Sequence, residues 1–420
     1  MKIAHVNAAF QGLHRRFGGS ETALYRTLAM TREQGHEVFL VTLRPDVEQP
    51  KCDFPFYTLR RCEDYLPSLL ARYVEPVKWY AWQNDPLAAA DFRAVMRKEK
   101  PDIVHFHNFQ FCGLELVRIA SEMGAKTCYS VYDYWIFCPN VMLLDGREQY
   151  CRRFHGKHCA ECLPNFLRPF QRLLLAKRKK IFDFYMRFID RWIVLSNHSV
   201  TVLEDYGVPR KKIKMVRLSL PFEFADISDQ TSGVIDQNMI FFAGWLQQRK
   251  GVHVLLEAMP LIRKQCPHAK LRIAGHKTKF DWDYKKKIDA LMQKPGMNEC
   301  VTFLGQLSSD QIADELRRCS VVAVPEQYEN MSPIIMIEAM TLEKPVVISR
   351  AGGIPEYIEE GKTGWMAGPR NVREFADKIS AVLLGKVDAA AVGKRARAKI
   401  MEICSKENIT AATMAAYDFN

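Results

Sequence analysis

Nothing in the 420 residues is long and apolar enough to cross a bilayer; no window approaches 18 uninterrupted apolar positions. The opening MKIAHVNAAF is too polar for a secretory h-region and reads as a first strand, so the expected compartment is the cytoplasm. Zinc-finger spacing, RNP-type aromatic motifs and a basic zipper are missing too. The net charge of +12 is compatible with nucleic acid, an anionic membrane surface or phosphorylated substrates, so it is the missing motifs that argue against nucleic acid as a partner. No short-period repeat or low-complexity tract is visible, which excludes a solenoid. The glycine turn in RRFGGSETALYRTLA is not G-x-G-x-x-G, so a dinucleotide reading has little support.

What is present is a soluble globular composition, 48% apolar and 26% charged, in a chain long enough for two domains. Twelve cysteines without an export signal imply mostly reduced thiols. Short apolar runs alternate with helical spacing throughout: KIAHVN, HEVFLVT, PDIVHFHN, KTCYSVYD, RWIVLSN and KIKMVRL, then MIFFAG, AKLRIAG, CVTFLG, SVVAVP and KPVVISRAGG. Such alternation predicts parallel sheets covered on both faces. The acidic, aperiodic stretch 219–238 reads as a linker. The expected fold class is therefore α/β, with two doubly wound Rossmann-like domains facing each other across a cleft. Their spans are 1–218 and 239–385, with a helical tail at 386–420 whose return to the first domain is left open. Ligands bind such folds at the carboxyl ends of the strands.

Three constellations sit at those ends. In ENMSPIIMIEAM, Glu338 is the only charge between Asn330 and Leu342. The pattern predicts a helix with Ser332 as N-cap and Pro333 first, offering the N–H groups of Ile334 and Ile335 to a phosphate. Glu338 would then accept hydrogen bonds from vicinal hydroxyls; the competing reading is an ordinary helix carboxylate paired with a base. In GWLQQRKGVHVLLEA, Arg249 and Lys250 could meet a pyrophosphate or simply form a solvated basic turn. Gly18 and Gly19 permit close backbone approach before a helix opening at Ser20. A further glycine pair, Gly352 and Gly353 of AGGIPEYIEEGKTG, precedes a short helix carrying Glu356.

The ordered set, from GGSE through GHEVFLVT, PDIVHFHN, GWLQQRKGVHVLLEA and ENMSPIIMIEAM to GGIPEYIEEGKTG, resembles the retaining family 4 glycosyltransferases of GT-B fold. The resemblance implies a nucleotide-sugar donor of UDP or GDP type. It also implies a glycan or lipid-linked acceptor and no cofactor for catalysis. Glu338 matches the ribose-binding glutamate of the family. Glu329 matches the acid near the transferred sugar, though eight residues, 330 to 337, intervene, one more than the family's spacing. Either the loop bulges or Asn330 fills the slot. Lys250 matches the diphosphate lysine, while the arginine usual after the glycine is here Trp245. Gly18 and Gly19 match the glycine loop near the donor phosphates, and His107 matches a cleft histidine. A sugar-nucleotide epimerase of the same fold, or a non-catalytic nucleotide-sugar-binding protein, stays as the alternative.

Two stretches lie outside that set. CPNVMLLDGREQYCRRFHGKHCAEC places Cys138, Cys151, Cys159 and Cys162 as a candidate structural zinc site, against free or redox-active thiols. Residues 166–188 carry seven Lys or Arg against one Asp. There Phe166, Phe170, Leu173, Leu174, Ile181, Phe184, Tyr185 and Phe188 recur at helical spacing. That pattern suits either a helix packed on the first sheet or one lying on an anionic membrane, the enzyme then being peripheral on its inner face.

Overall fold

The computed structural model describes residues 1–15, 18–147, 149–163, 168–220, 235–275 and 282–419. Two compact units emerge. The first comprises Met1–Arg217 together with the chain from Lys406 onward, and the second Leu218–Ser405. Most of 219–238 lies outside the described residues, and Asp236 already opens a strand.

The first unit runs β1 Lys2–Val6, α1 Gly19–Glu33, β2 Glu37–Leu43, β3 Phe56–Leu59, α2 Ser68–Tyr80, α3 Pro86–Glu99 and β4 Ile103–Phe106. It continues with α4 Glu115–Glu122, β5 Lys126–Ser130, α5 Arg168–Met186, β6 Arg191–Val194, α6 Asn197–Tyr206 and β7 Ile213–Met215. All seven strands are parallel, in the order β3-β2-β1-β4-β5-β6-β7. The second unit has β8 Asp236–Ala243, α7 Val252–Gln265, β9 Lys270–Ala274, α8 Trp282–Met292, α9 Met297–Cys300, β10 Val301–Gly305, α10 Ser309–Arg318 and β11 Cys319–Val324. Then come α11 Ile334–Thr341, β12 Val346–Ser349, β13 Trp365–Ala367, α12 Val372–Leu383 and α13 Ala389–Ile403. Its sheet is also parallel, ordered β10-β9-β8-β11-β12-β13. The last helix, α14 Lys406–Tyr417, belongs to the first unit, where Lys406 pairs with Glu33 at 2.6 Å.

Local chemistry accounts for these elements. Asp85 caps α3 by accepting from Leu87 and Ala88 N–H, and Pro86 supplies a fixed φ at its first position. Ser308 and Gln311 form a capping box at α10. Central strands are buried on both faces, as a parallel sheet requires: Ile103 to Phe106 of β4 are all buried. Each aliphatic side chain so buried contributes about 1.5–3 kcal/mol.

In both sheets chain order reverses once, between β1 and β4 and between β8 and β11. Those are the switch points at which doubly wound sheets open a crevice. Two strands escaped the sequence reading, β3 and β13. Both are edge strands of four and three residues. β3 is mostly solvent-touched, and β13 is buried but only three residues long, too short a run to stand out.

Candidate functional site

In the second unit the chain leaving β8 turns at Gly244 and forms a short 3-10 turn, Gln248–Lys250, before α7. Gly251 closes that turn at φ +73°, and a Cβ there would lie 1.8 Å from the Pro325 carbonyl oxygen. Only glycine lets the post-β8 and post-β11 loops approach so closely. Across this contact Lys250 Nζ donates to Glu326 Oε1 at 2.7 Å, and Gln327 N–H donates to the Arg249 carbonyl at 2.7 Å. Burial would lower the Lys250 pKa, but the Glu326 carboxylate and Tyr328 together outweigh it and the ammonium is held above its ordinary value. Arg249 donates to Gln247 Oε1 at 2.8 Å and lies over the Tyr328 ring, 5.4 Å from its centroid; Lys250 lies 5.5 Å from the same ring. The basic pair is thus a built feature rather than a solvated turn.

Glu326 was not singled out from the sequence. Its side chain is 3% exposed, and its second oxygen, Oε2, is buried with no hydrogen-bond partner. A carboxylate immediately after a strand-ending proline was the available signal.

Glu329 also faces a loop rather than solvent, its Oε2 accepting from Gly352 N–H at 2.9 Å. Gly352 sits at φ +55°, where a Cβ would lie 2.2 Å from the Asn330 carbonyl oxygen. Gly353 N–H donates to that same carbonyl. Asn330 is buried, and its side-chain oxygen accepts from Ser332 N–H at 3.1 Å in a local turn. The post-β11 and post-β12 loops are therefore stitched together at the Glu329–Asn330 step.

The helix after this loop starts later than the pattern suggested. α11 begins at Ile334 with Pro333 as N-cap, and no side chain caps it. Ser332 is buried, and its hydroxyl has no hydrogen-bond partner. Pro333 itself is extended, at ψ 121°, so it takes the N-cap place expected of Ser332 and the helix starts one residue later. Ile334 and Ile335 still head the helix, where N–H groups lack intrahelical acceptors. Glu338 lies on this helix, half-buried.

In the first unit α1 opens at Gly19, one residue earlier than expected, with Gly18 extended as N-cap. Glu21 organises this end. Its carboxylate accepts from Gly18 N–H at 2.7 Å, from Asn7 Nδ2 at 3.2 Å and from the Ser20 hydroxyl at 2.9 Å. It links the glycine loop to the residue following β1.

Beside that link lies a histidine network at the β1/β4 switch point. His5 and His105 are register partners, and His107 follows on the same face of β4's extension. His5 Nδ1 and His107 Nε2 share a hydrogen bond of 3.0 Å, and His107 Nδ1 is 3.1 Å from the Tyr132 hydroxyl. His105 meets the Tyr417 hydroxyl of α14 at 2.7 Å and Ser130 at 2.8 Å. Burial lowers His5 to about 3 and drives His105 and His107 well below the usual range, so all three are neutral at pH 7.

Among the described residues, this triad is the group whose ligand atoms all fall within 4.8 Å of one another. Neutral imidazoles suit a transition metal, yet His105 and His107 already use both ring nitrogens in hydrogen bonds. The arrangement reads as a hydrogen-bonded network. Cys138, Cys151, Cys159 and Cys162, the candidate zinc tetrad, are all free thiols, and no three of their sulfurs lie within 4.8 Å of one another. They are near enough that their charges help raise the Cys159 and Cys162 pKa values, after burial. Cys159 Sγ also lies 3.1 Å from the Phe154 carbonyl oxygen.

Comparison with known proteins follows the same division. The family model described as Glycosyltransferase Family 4 matches residues 17–218, and that described as Glycosyl transferases group 1 matches 225–399. An uncharacterised glycosyltransferase of Methanocaldococcus jannaschii is 30% identical over 227 residues, 51% of this chain and 56% of that protein. A glycogen synthase of Mycobacterium tuberculosis is 31% identical over 183 residues, 42% of each. The chain thus spans about half the length of the curated relatives it matches. Among solved structures, Anabaena HepE in complex with UDP and glucose superposes with TM-score 0.71 at 17% identity, covering 100% of both chains. Staphylococcus aureus TarM, solved with UDP and other ligands, gives 0.69 at 14% identity, covering 99% of each. At such identities the likeness is one of fold.

Proposed function

The chain belongs to the family 4, group 1 glycosyltransferases, and from that premise we propose that it transfers a sugar from a nucleoside-diphosphate sugar to a glycan or lipid-linked acceptor. The anomeric configuration is retained, and the product enters a cell-surface polysaccharide or glycoconjugate. The observation that carries this reading is the Lys250–Glu326 pair, which fixes a cation at the β8/β11 switch point beside Arg249 and ahead of α11.

On this reading the donor diphosphate lies against Lys250, Arg249 and the N–H groups of Ile334 and Ile335. These stabilise the charge that develops as the sugar departs. Glu338 accepts from the ribose hydroxyls, and Glu329, held by Gly352, borders the transferred sugar. The leaving diphosphate takes the acceptor's proton in a front-side displacement, so no enzyme nucleophile is needed. His107 is a positioning residue here, because His5 and Tyr132 occupy both its ring nitrogens.

Thermal shift with UDP, GDP and ADP and their sugars identifies the donor. Proton NMR of the first product formed with that donor should then show retained configuration. Inversion, release of free epimerised sugar, or binding without turnover would each overturn the proposal.

A further inference from the structure

Helix α5 carries two stripes, and the structure separates their tasks. Gln171, Leu175, Arg178, Phe182 and Met186 are buried. Arg178 anchors that stripe: it donates to the carbonyl oxygens of Tyr80 and Trp135 and to His155 Nδ1, with its guanidinium 3.7 Å from the Phe182 ring centroid. The helix is therefore already docked on its own unit, through a set of residues that differs from the aromatic series seen in the sequence.

The opposite stripe, at 170, 173, 177, 180, 184 and 187, is exposed and reads Phe, Leu, Lys, Lys, Phe, Arg. Phe170, Leu173 and Phe184 are 47%, 52% and 42% exposed. Helix α2, which packs against α5, adds Leu70 at 52% and Tyr73 at 54%. Folding of the unit gives no reason for these side chains to face water. Arg172, Lys177, Lys180 and Arg187 surround them, with no ion pair among the described residues, while Lys179 is neutralised by Asp183 at 2.7 Å. Phe166 lies outside the described residues.

We propose that the outer faces of α2 and α5 form one platform that seats the enzyme on an anionic lipid surface. Phe170, Leu173, Leu70 and Tyr73 enter the headgroup boundary, and Lys177, Lys180, Arg172 and Arg187 bind lipid phosphates. A surface that alternates large apolar side chains with unpaired cations matches an anionic interface in both respects, whereas a protein partner would leave those cations to be desolvated. No helix among the described residues is long and apolar enough to cross the membrane, so the attachment is lateral and salt-sensitive. The proposal rests on the reaction above only in suggesting where a lipid-linked acceptor is met.

Flotation of the full chain with vesicles of phosphatidylglycerol in phosphatidylcholine, against pure phosphatidylcholine, tests it at low and high salt. Binding should require the anionic lipid and weaken in salt. It should fall roughly fivefold for each of Lys177→Gln and Lys180→Gln. Phe170→Ser with Leu173→Ser should reduce it at least tenfold, with the thermal shift by nucleotide unchanged. Hydrogen exchange on the unaltered protein should show protection of 168–188 by anionic vesicles, which needs no variant to fold. Equal binding to neutral vesicles, no binding, undiminished binding by these variants, or a dimer lost on the same substitutions would each overturn the platform. Failure of the glycosyltransferase reading would show instead in the nucleotide shift and the product analysis, neither of which involves vesicles.

Discussion

Replacing Glu326 by Ala should remove the anchor that holds Lys250 in place. The side chains are 18% and 3% exposed for Lys250 and Glu326, so the pair is largely desolvated but Lys250 keeps a path to water. A hydrogen bond between charged groups contributes about 1.5–3 kcal/mol, and orphaning a fully buried charge costs about 3–5 kcal/mol. The residual exposure of Lys250 places the loss near the lower range, about 2 kcal/mol. For a unit of this size that lowers Tm by about 4–8 °C. If the ammonium must also stand where the diphosphate departs, kcat/KM falls roughly thirtyfold, with the loss mainly in kcat. Glu326→Gln retains an oxygen to accept from Lys250 and should recover most of both quantities. Lys250→Ala should be at least as damaging to kcat as Glu326→Ala, and clearly worse than Trp245→Ala. Steady-state kinetics and thermal melts of these four variants decide the matter. Glu326→Ala with kcat/KM within twofold of the native enzyme would refute the positioning role. So would a Gln variant as poor as the Ala variant at unchanged Tm.

Glu338→Ala should lower turnover by roughly two orders of magnitude or more and weaken nucleotide affinity, with Glu338→Gln intermediate; isothermal titration with the nucleoside diphosphate checks it. Acid should destabilise the protein early. His5 is lowered to about 3 and His253 to about 4, and burial also lowers His105, His107 and His155. The unfolded chain therefore binds protons below about pH 6.5 while the folded chain does not. Stability is fully present above that pH and is lost as pH falls, by about 1.4 kcal/mol per pH unit for each such histidine. Melts from pH 7.5 to 5 should show Tm falling progressively more steeply, and a flat profile would contradict the buried neutral network. Gly251→Ala should cost well over 1 kcal/mol, because strain at φ +73° adds to the clash with Pro325. Gly385→Ala, at φ +64° with open space around it, should cost about 1 kcal/mol, which comparative melts would resolve.

Local pattern determined much of this protein. Period-two and buried runs located the central strands of both sheets, and strand–helix alternation required them to be parallel, because those signals depend only on neighbours in sequence. Glycine and basic residues after strands marked the loops at the switch points for the same reason. Tertiary structure decided what those loops hold. Lys250 meets Glu326 across 76 residues, His5 meets His107 across 102, and Tyr417 reaches His105 from the far end of the chain. No periodicity encodes such pairs, which arise only when crossover connections bring distant strand ends side by side. The same holds for α5. Its composition offers two apolar stripes, and only packing against Trp135, Tyr80 and His155 chooses the one containing Arg178 for burial, leaving Phe170, Leu173 and Phe184 outside.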